Sequence, residues 1–131
     1  KKIDIDFISE NISISGNRRM IKDLLYNLID NAIKYNKING KVEVSVRQED
    51  NYCVIKVKDT GIGIPEEEQD KIFERFYMVD KSRSKKLGGS GLGLSIVKHI
   101  VKYHNGRIIL NSQVDKGTEI QVKIPIKQAP S

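Results

Sequence analysis

Apolar residues recur along the chain with two different periods, and each change of period marks a new element. They alternate with polar residues over positions 3–7 and again over 12–14, which predicts two short strands. Gly16-Asn17 is typical of a turn, and from Arg18 the spacing becomes helical for about five turns. The apolar stripe of this helix consists of Met20, Ile21, Leu24, Leu25, Leu28, Ile29, Ala32 and Ile33.

A hairpin and a second helix are predicted over the middle of the chain. Apolar residues alternate from Val42 to Val46 and return from Val54 to Val57, on either side of the polar turn at 49–51. Pro65 is followed by three glutamates, and both proline and acidic residues favour the first turn of a helix. The sequence therefore predicts a helix from Pro65 to about Phe76.

The last third of the chain contains a long polar segment, a helix and two strands. Residues 78–90 are charged and end in glycines, which indicates a long loop, and a loop of this length suggests a mobile lid. A helical stripe then runs from Leu92 to Val101 and is stopped by Asn105-Gly106. Apolar residues at 108–110 and 120–124 predict two strands around a turn at 115–117.

These elements predict an α/β (α+β) fold with two layers. Paired strands joined by tight turns favour one mixed, mostly antiparallel sheet with helices on one face, and they disfavour a doubly wound parallel sheet. We expect one domain over residues 1–127 and a disordered tail at 128–131.

Composition is consistent with one soluble domain. The chain has 131 residues, of which 38% are hydrophobic and 31% charged, and this is long enough to bury one core. No apolar stretch approaches the roughly 20 residues that cross a bilayer. Cys53 is the only cysteine, so an internal disulfide is excluded, and it is expected to be a small hydrophobe in a strand. A reducing cytoplasm is the expected location.

The net charge of +6 raises the question of a nucleic-acid or anionic-membrane partner. The basic residues are spread along the chain, apart from one dense cluster of Lys81, Arg83, Lys85 and Lys86. This cluster stands just before a glycine-rich string, where a triphosphate is a nearer target than DNA. We therefore expect no nucleic-acid partner.

The first predicted helix carries a polar group that suits a metal and a phosphate. Asn27 and Asn31 are one turn apart and share a face. A carboxamide oxygen is a hard ligand of the kind that Mg²⁺ takes beside waters and phosphates. Lys34 and Tyr35 add an ammonium group and an aromatic plane. The alternative for this segment alone is a solvated face of an amphipathic helix.

A short glycine string, Asp59-Thr60-Gly61-Ile62-Gly63-Ile64, follows the predicted hairpin. A carboxylate at the end of a strand can accept a hydrogen bond from the exocyclic amine of adenine, whereas guanine presents a carbonyl there and is repelled. Gly61 and Gly63 would let the backbone approach a flat ring. The alternative is a strand-to-loop turn closed by an Asx hydrogen bond.

A second glycine string, residues 88–94, leads directly into the last predicted helix. Backbone amides at a helix start that carry no bulky side chains form an anion site. The Rossmann pattern requires G-x-G-x-x-G after a strand, and the Walker pattern requires a closing Gly-Lys-Ser/Thr. This chain has neither, so the two common phosphate-binding folds are disfavoured.

Together these strings resemble the catalytic, ATP-binding domain of sensor histidine kinases, in the GHKL ATPase superfamily. Residues 25–35 resemble the asparagine box of that family, 59–65 its first glycine box and 72–77 its phenylalanine box. Residues 89–97 resemble the second glycine box, and Gly117-Thr118 a late Gly-Thr pair near the adenine. The resemblance covers nearly the whole chain and implies the GHKL ATP-binding fold.

The resemblance also implies a role for each matching residue. ATP would lie between the asparagine helix and a flexible lid, with Asn31 as the Mg²⁺ ligand. Asp59 would read the adenine, and Thr118 would contact it through water. The catalytic candidates are Asn27, Lys34 and Arg75: Lys34 would border the phosphates, and Arg75 could steady the transferred phosphoryl group. The nucleotide-contacting set is Asn31, Lys34, Tyr35, Asp59, Gly61, Gly63, Ile64, Tyr77, Lys81, Arg83, Gly89, Ser90, Gly91, Leu92, Gly93, Leu94 and Thr118.

One departure from the wider superfamily concerns the nucleophile. Related topoisomerase and mismatch-repair ATPases carry a glutamate one turn before the metal asparagine, where it can activate water. Asn27 stands there in this chain and has no useful basicity. The pocket is therefore expected to present ATP to another nucleophile. His99 and His104 are expected to be surface or partly buried helix residues, and the two phenylalanines Phe73 and Phe76 to pack in the core.

The implied partners lie outside this chain. The acceptor would be a histidine on a separate dimerisation domain, and a response regulator would follow indirectly. We expect a monomeric fragment of a homodimeric parent protein, cytoplasmic itself, with an inner-membrane anchor on the parent as one alternative. Two further readings stay open: a GHKL serine kinase of the anti-sigma type, and a module in which ATP merely switches protein contacts.

Overall fold

The structure is a computed structural model that describes residues 3–9, 16–77 and 92–126. These residues form one sheet with two helices on one face. The strands are β1 (Asp4–Ser9), β2 (Lys41–Glu49), β3 (Tyr52–Asp59), β4 (Arg107–Gln113) and β5 (Gly117–Pro125). Their order in the sheet is β1-β2-β3-β5-β4. β1 runs parallel to β2, and the other neighbouring pairs are antiparallel. The predicted mixed, mostly antiparallel sheet is confirmed.

The asparagine helix, α1 (Arg18–Lys34), begins and ends where the pattern predicts. The side chain of Asn17 caps it by accepting a hydrogen bond from the Met20 N–H at 3.1 Å, which satisfies one of the orphan donors of the first turn. Leu24, Leu28 and Ala32 are its buried residues. α1 contacts β2 and β3, so the opposite side of the helix is left for the polar residues.

The second helix, α2 (Gly93–Tyr103), packs against α1 and contacts β4 and β5. Its predicted stop is confirmed, because Asn105 adopts a left-handed backbone with φ of 58° and the N–H of Gly106 returns to the carbonyl of Val101 at 2.9 Å. The core lies between the two helices and the sheet. It consists of Leu24, Leu28, Ala32, Val42, Val44, Cys53, Ile55, Val57, Val97, Ile100, Val101, Ile120, Val122 and Ile124.

Two hairpins of the sheet carry Asp59 and Thr118. β2 and β3 are joined by Asp50 and Asn51, as the polar turn predicts, and β4 and β5 by residues 114–116. The register of β3 against β5 places Asp59 directly opposite Thr118. Cys53 lies buried in β3 as a small hydrophobe, and burial raises the pKa of its thiol.

The helix predicted from Pro65 to Phe76 is wrong. Only Glu66–Glu68 is helical, as one 3-10 turn, and the following N–H groups donate mainly to carbonyls three residues earlier. Tertiary contacts override the local preference: the side chain of Gln69 donates to the carbonyl of Ser112 at 3.2 Å and so ties the segment to β4. Phe76 has a left-handed backbone with φ of 65°, which is incompatible with a continuing α-helix.

Three predictions concern segments that lie outside the described residues. They are the strand at 12–14, the lid at 78–90 and the tail at 128–131. The helices that the structure describes in ranges 16–77 and 92–126 are too short or too polar to cross a membrane.

Candidate functional site

The carboxylate of Asp59 is fixed by two backbone hydrogen bonds at the end of β3. Its Oδ1 atom accepts from the N–H of Gly61 at 2.8 Å and from the N–H of Thr118 at 3.2 Å. The side chain is only 8% exposed. Within the part of the chain that the structure describes, both bonds fall on Oδ1, so Oδ2 is the carboxylate atom that a ligand can use.

Burial raises the pKa of the Asp59 carboxyl above its ordinary value of 3.8, because desolvation disfavours the charged form. The two backbone N–H groups oppose this shift, since they stabilise the carboxylate. Carboxyl groups whose pKa is shifted by burial are common in binding sites. In Asp59, one carboxylate oxygen is also available to a ligand.

The glycines of the first string make room for protein backbone. A Cβ atom on Gly61 would collide with the carbonyl oxygen of Tyr35, and a Cβ atom on Gly63 with that of Gln113. Gly63 also has φ of 73°, which side chains rarely adopt. The prediction that these glycines let the backbone approach a flat ring is not tested, but the contacts seen here already require both of them.

A pair of hydroxyl groups stands beside Asp59. Ser112, on β4, is opposite Thr118 in the register, and their oxygens are 2.8 Å apart. The Ser112 hydroxyl also accepts from the N–H of Ile64 at 2.8 Å. Thr118 is 7% exposed, so its hydroxyl is held in place next to the carboxylate of Asp59. Three predicted residues, Asp59, Ile64 and Thr118, thus lie together. Ser112, which the sequence did not indicate, links Ile64 to Thr118.

Asn36 joins the end of α1 to the first glycine string. Its carboxamide is 0% exposed and fully bonded: Nδ2 donates to the carbonyl of Lys41 at 2.9 Å, and Oδ1 accepts from the N–H of Lys37 at 2.9 Å. Oδ1 also accepts from the hydroxyl of Thr60 at 3.1 Å. The neighbouring carbonyl of Tyr35 accepts from the N–H of Ile62 at 3.1 Å. These bonds fix the helix end relative to Asp59.

The metal and phosphate residues predicted on α1 are held more loosely. Asn27 and Asn31 are half-buried, and Asn27 donates to the carbonyl of Asp23 at 2.8 Å. Lys34 forms an ion pair with Asp30 at 3.0 Å, with both side chains about one third exposed. Its ammonium group is thus already shared with a carboxylate one turn earlier, which the prediction of a phosphate contact did not include.

The start of α2 lies against Asn27. A Cβ atom on Gly93 would be 3.3 Å from the Oδ1 atom of Asn27, so the first turn of α2 approaches the asparagine face closely. Leu92, the N-cap residue, forms no side-chain cap hydrogen bond with this helix start, and amides at such a position are the kind of donors that anions use. Leu92, Gly93 and Leu94 are half-buried here, and their contact with the nucleotide stays a prediction.

The residues of the phenylalanine box stand apart from this cluster. Arg75 is exposed, and its guanidinium lies 5.4 Å from the centre of the Phe76 ring. Phe76 is 62% exposed, so the prediction that it packs in the core is wrong; its backbone is left-handed and its ring lies against the Arg75 guanidinium. Phe73 is half-buried and lines a groove against α2 and β4. Tyr77 donates its N–H to Glu74.

Five predicted site residues lie outside the described residues, namely Lys81, Arg83, Gly89, Ser90 and Gly91. Their contribution stays a prediction.

Comparison with known proteins identifies the family. Residues 16–128 match the model described as histidine kinase-, DNA gyrase B-, and HSP90-like ATPase. The chain belongs to this ATPase family. It is 45% identical over 121 residues to the signal transduction histidine-protein kinase ArlS of Staphylococcus aureus (strain USA300), an alignment covering 92% of this chain and 27% of ArlS. The chain therefore spans about a quarter of the length of that curated relative.

Solved structures agree with this assignment to the ATPase family. The mycobacterial sensor histidine kinase MprB has a TM-score of 0.85 and 30% identity, with 97% of this chain and 86% of that chain covered. The catalytic domain of histidine kinase ThkA has a TM-score of 0.81 and 31% identity, covering 96% and 82%. Full-length ShkA in complex with AMPPNP has a TM-score of 0.80 and 26% identity, covering 98% and 27%. The predicted resemblance and fold class are confirmed.

Neither histidine of this ATPase domain has the setting of a reactive group. His99 is exposed on α2, and His104 is buried with both ring nitrogens hydrogen-bonded. The expectation of surface or partly buried residues is confirmed for His99, whereas His104 is more deeply buried than expected, at 2% exposure.

Two site residues were missed by the sequence analysis. A hairpin built on the predicted turn at 115–117 places Ser112 opposite Ile120, whereas the observed turn at 114–116 places it opposite Thr118, so this shift of one residue hid Ser112. Asn36 stands immediately after the asparagine box, but nothing in the pattern of polar residues distinguishes a buried carboxamide from an exposed one.

Proposed function

We propose that this chain is the ATP-binding catalytic domain of a two-component sensor histidine kinase, which presents the γ-phosphate of ATP to a histidine on a separate dimerisation domain. The observation that carries the proposal is the buried carboxylate of Asp59, held by two backbone N–H groups with Oδ2 left for a ligand. The sensor histidine kinases among the relatives, ArlS and MprB, support the same function.

The adenine base is recognised at the end of β3. Oδ2 of Asp59 accepts a hydrogen bond from the exocyclic amine, and the Thr118 hydroxyl lies beside it, fixed by Ser112. The carbonyl oxygen of guanine would face a carboxylate at the same place, and two acceptors repel each other. AMPPNP, an ATP analogue, is bound in the ShkA structure, which supports an adenine nucleotide as the ligand.

Mg²⁺ suits the residues of the asparagine helix. The carboxamide oxygen of Asn31 is a neutral hard ligand on the half-buried face of α1, and Mg²⁺ is usually held by one or two such oxygens with waters and phosphates. Bound there, the ion would neutralise the charge of the triphosphate. The amides at the start of α2, near Gly93, would hold phosphate oxygens from the other side.

The phosphoryl group then passes to a nitrogen nucleophile from outside this domain. The bond between the γ-phosphorus and the β,γ-bridging oxygen breaks, a phosphorus–nitrogen bond forms, and ADP leaves. The contribution of this chain is positioning and charge stabilisation, on which phosphoryl transfer chiefly depends. Asn27 offers no general base for water, so hydrolysis is slow in the absence of the acceptor.

Phosphate transfer in a mixed system tests this function. The chain is incubated with Mg²⁺, ATP labelled at the γ-position and a histidine-bearing dimerisation domain. We expect an acid-labile, base-stable phosphohistidine on that domain and no label when its histidine is replaced by Ala. An acid-stable phosphoserine on a partner protein would instead favour the serine kinase. ATP binding without any transfer would favour the switched module, and label on His99 would contradict the external acceptor.

A further inference from the structure

His104 connects the two helices of the nucleotide site at the end away from the nucleotide. It follows α2 directly, is 2% exposed and has a hydrogen bond at each ring nitrogen. Nδ1 lies 2.8 Å from the carbonyl oxygen of Ile100, one turn earlier in the same helix. Nε2 lies 3.1 Å from the backbone nitrogen of Asn17.

The partners determine which nitrogen carries the hydrogen. The carbonyl of Ile100 can only accept, so Nδ1 is the donor, and the N–H of Asn17 can only donate, so Nε2 is the acceptor. The imidazole ring therefore donates to Ile100 and accepts from Asn17, and the two roles cannot be exchanged. It also fits tightly, because a Cβ atom on Gly16 would lie 2.7 Å from its Cδ2 and Nε2 atoms.

Asn17 is the residue that caps the start of α1, and His104 caps the end of α2, so the bridge joins the two cap residues. Aliphatic side chains of both helices, such as Leu24 and Leu28 on α1 and Val97 and Ile100 on α2, lie in the same buried core. The apolar contribution has no preferred direction, whereas a hydrogen bond weakens steeply when its distance and angle depart from their optimum. The bond between the helix ends therefore defines the position of α2 along α1 more sharply than the apolar contacts do.

The position of α2 along α1 matters at the opposite end of α2. There Gly93 approaches Asn27 so closely that a Cβ atom would be 3.3 Å from its Oδ1 atom. A shift of α2 would move its first amides, the phosphate donors of the proposed site, relative to Asn27 and Asn31. The adenine end would not move with it, because Asp59 and Thr118 are fixed within the sheet.

We infer that His104 is a positioning residue for the phosphate end of the site: its bond to Asn17 fixes α2 along α1 and thereby holds the triphosphate and metal groups in register. This inference rests on the proposed nucleotide site. It goes further by assigning a functional effect to a buried histidine distant from the chemistry.

Two substitutions at His104 separate its two hydrogen bonds. In His104→Gln the amide oxygen occupies the place of Nε2 and can still accept from the Asn17 N–H. In His104→Asn the amide nitrogen occupies the place of Nδ1, so the bond to Ile100 survives and the bridge to Asn17 is lost. Each variant loses one bond, and comparable thermal unfolding of the two makes them a matched pair.

Affinities for ATP and AMP in the presence of Mg²⁺ give the readout, because only ATP reaches the phosphate end in full. We expect His104→Asn to weaken ATP binding by about tenfold, the loss of one contact to a charged group, and AMP binding by less than about twofold. His104→Gln should retain ATP affinity within about twofold of the unmodified chain. An amide NMR signal of Asn17 that shifts in the Asn variant alone would accompany this result.

A purely structural role gives a different pattern. Equal losses for ATP and AMP, equal losses in both variants, or unchanged ATP affinity in His104→Asn would overturn the inference. If the Asn variant does not fold, Gly16→Ala replaces it, since the added methyl group displaces the ring from Asn17 while every side chain of the bridge is kept. That variant must also lose ATP affinity selectively. Absence of ATP binding by the unmodified chain would contradict the proposed function instead.

Discussion

The adenine end and the phosphate end of the site are built in different ways. At the adenine end, Asp59 and Thr118 are less than a tenth exposed, and backbone N–H groups and Ser112 fix them. At the phosphate end, Asn27 and Asn31 are half-buried on a helix, and Lys34 is shared with Asp30. One end is held by the sheet, and the other by the packing of two helices.

This difference indicates how the two ends recognise their ligands. A buried carboxylate that accepts two N–H bonds is held in one position, so in the proposed function the adenine end would select a base by a fixed arrangement of donors and acceptors. Charged and carboxamide side chains on helix faces can adjust to a metal ion and to phosphates that change during transfer. We therefore expect substitutions at the adenine end to change specificity and those at the phosphate end to change affinity and rate.

The largest expected effect comes from Asp59→Asn. The amide Oδ1 can keep both backbone bonds, and the Nδ2 group then meets the amine of adenine, donor against donor. ATP affinity should fall by about a hundredfold, or roughly 2.7 kcal/mol. Calorimetric titration measures it, with Asp115→Asn, an exposed turn residue, as the control. A loss smaller than about threefold would remove Asp59 from the adenine site.

An effect of similar size, but on stability, is expected from Asn36→Ala. The change leaves the N–H of Lys37, the carbonyl of Lys41 and the hydroxyl of Thr60 without their buried partner. The free energy of unfolding should fall by about 2–3 kcal/mol, whereas Thr60→Val should cost about 1–2 kcal/mol. Urea denaturation provides both values. Equal stability of Asn36→Ala and the unmodified chain would show that this connection does not hold the adenine end in place.

These two residues also show how far the sequence leads. Asp59 was predicted because a carboxylate and two glycines at a strand end form a local pattern, and the strands and helices themselves followed from hydrophobic period. Asn36 was missed because the pattern of polar residues does not distinguish a buried carboxamide from an exposed one, and Ser112 because the turn between β4 and β5 lies one residue earlier than predicted. The helix predicted over 65–76 failed because of a contact distant in sequence, since Gln69 is bonded to β4 and that contact outweighs local helix preference.

At the phosphate end, Asn31→Ala tests the metal ligand. Mg-ATP affinity should fall by about 2 kcal/mol, the value of one hydrogen-bond-like contact to a charged group, and affinity measured with EDTA should change much less. Asn51→Ala, in the exposed hairpin turn, is the matched control. If the loss is the same with and without Mg²⁺, Asn31 contacts the nucleotide and not the metal.

The smallest effect is on the pH dependence of stability. Burial raises the folded-state pKa of Asp59, so the folded protein binds this proton more readily than the unfolded chain does. The contribution of Asp59 to stability therefore decreases as pH rises from the ordinary value of 3.8 through the raised value, and Asp59→Asn lacks this term. Compared by thermal unfolding, Asp59→Asn should gain on the unmodified chain over that interval. A gain on lowering the pH instead would contradict the raised pKa.

The central claim is that a fixed adenine site at the end of β3 makes this chain an ATP-binding domain, and competition between ATP and GTP tests it most directly. Both nucleotides are titrated into the unmodified chain with Mg²⁺, by calorimetry under the same conditions. The arrangement of Asp59 and Thr118 predicts binding of ATP and a preference over GTP of at least about tenfold, or 1.4 kcal/mol. Equal affinities for ATP and GTP would contradict it.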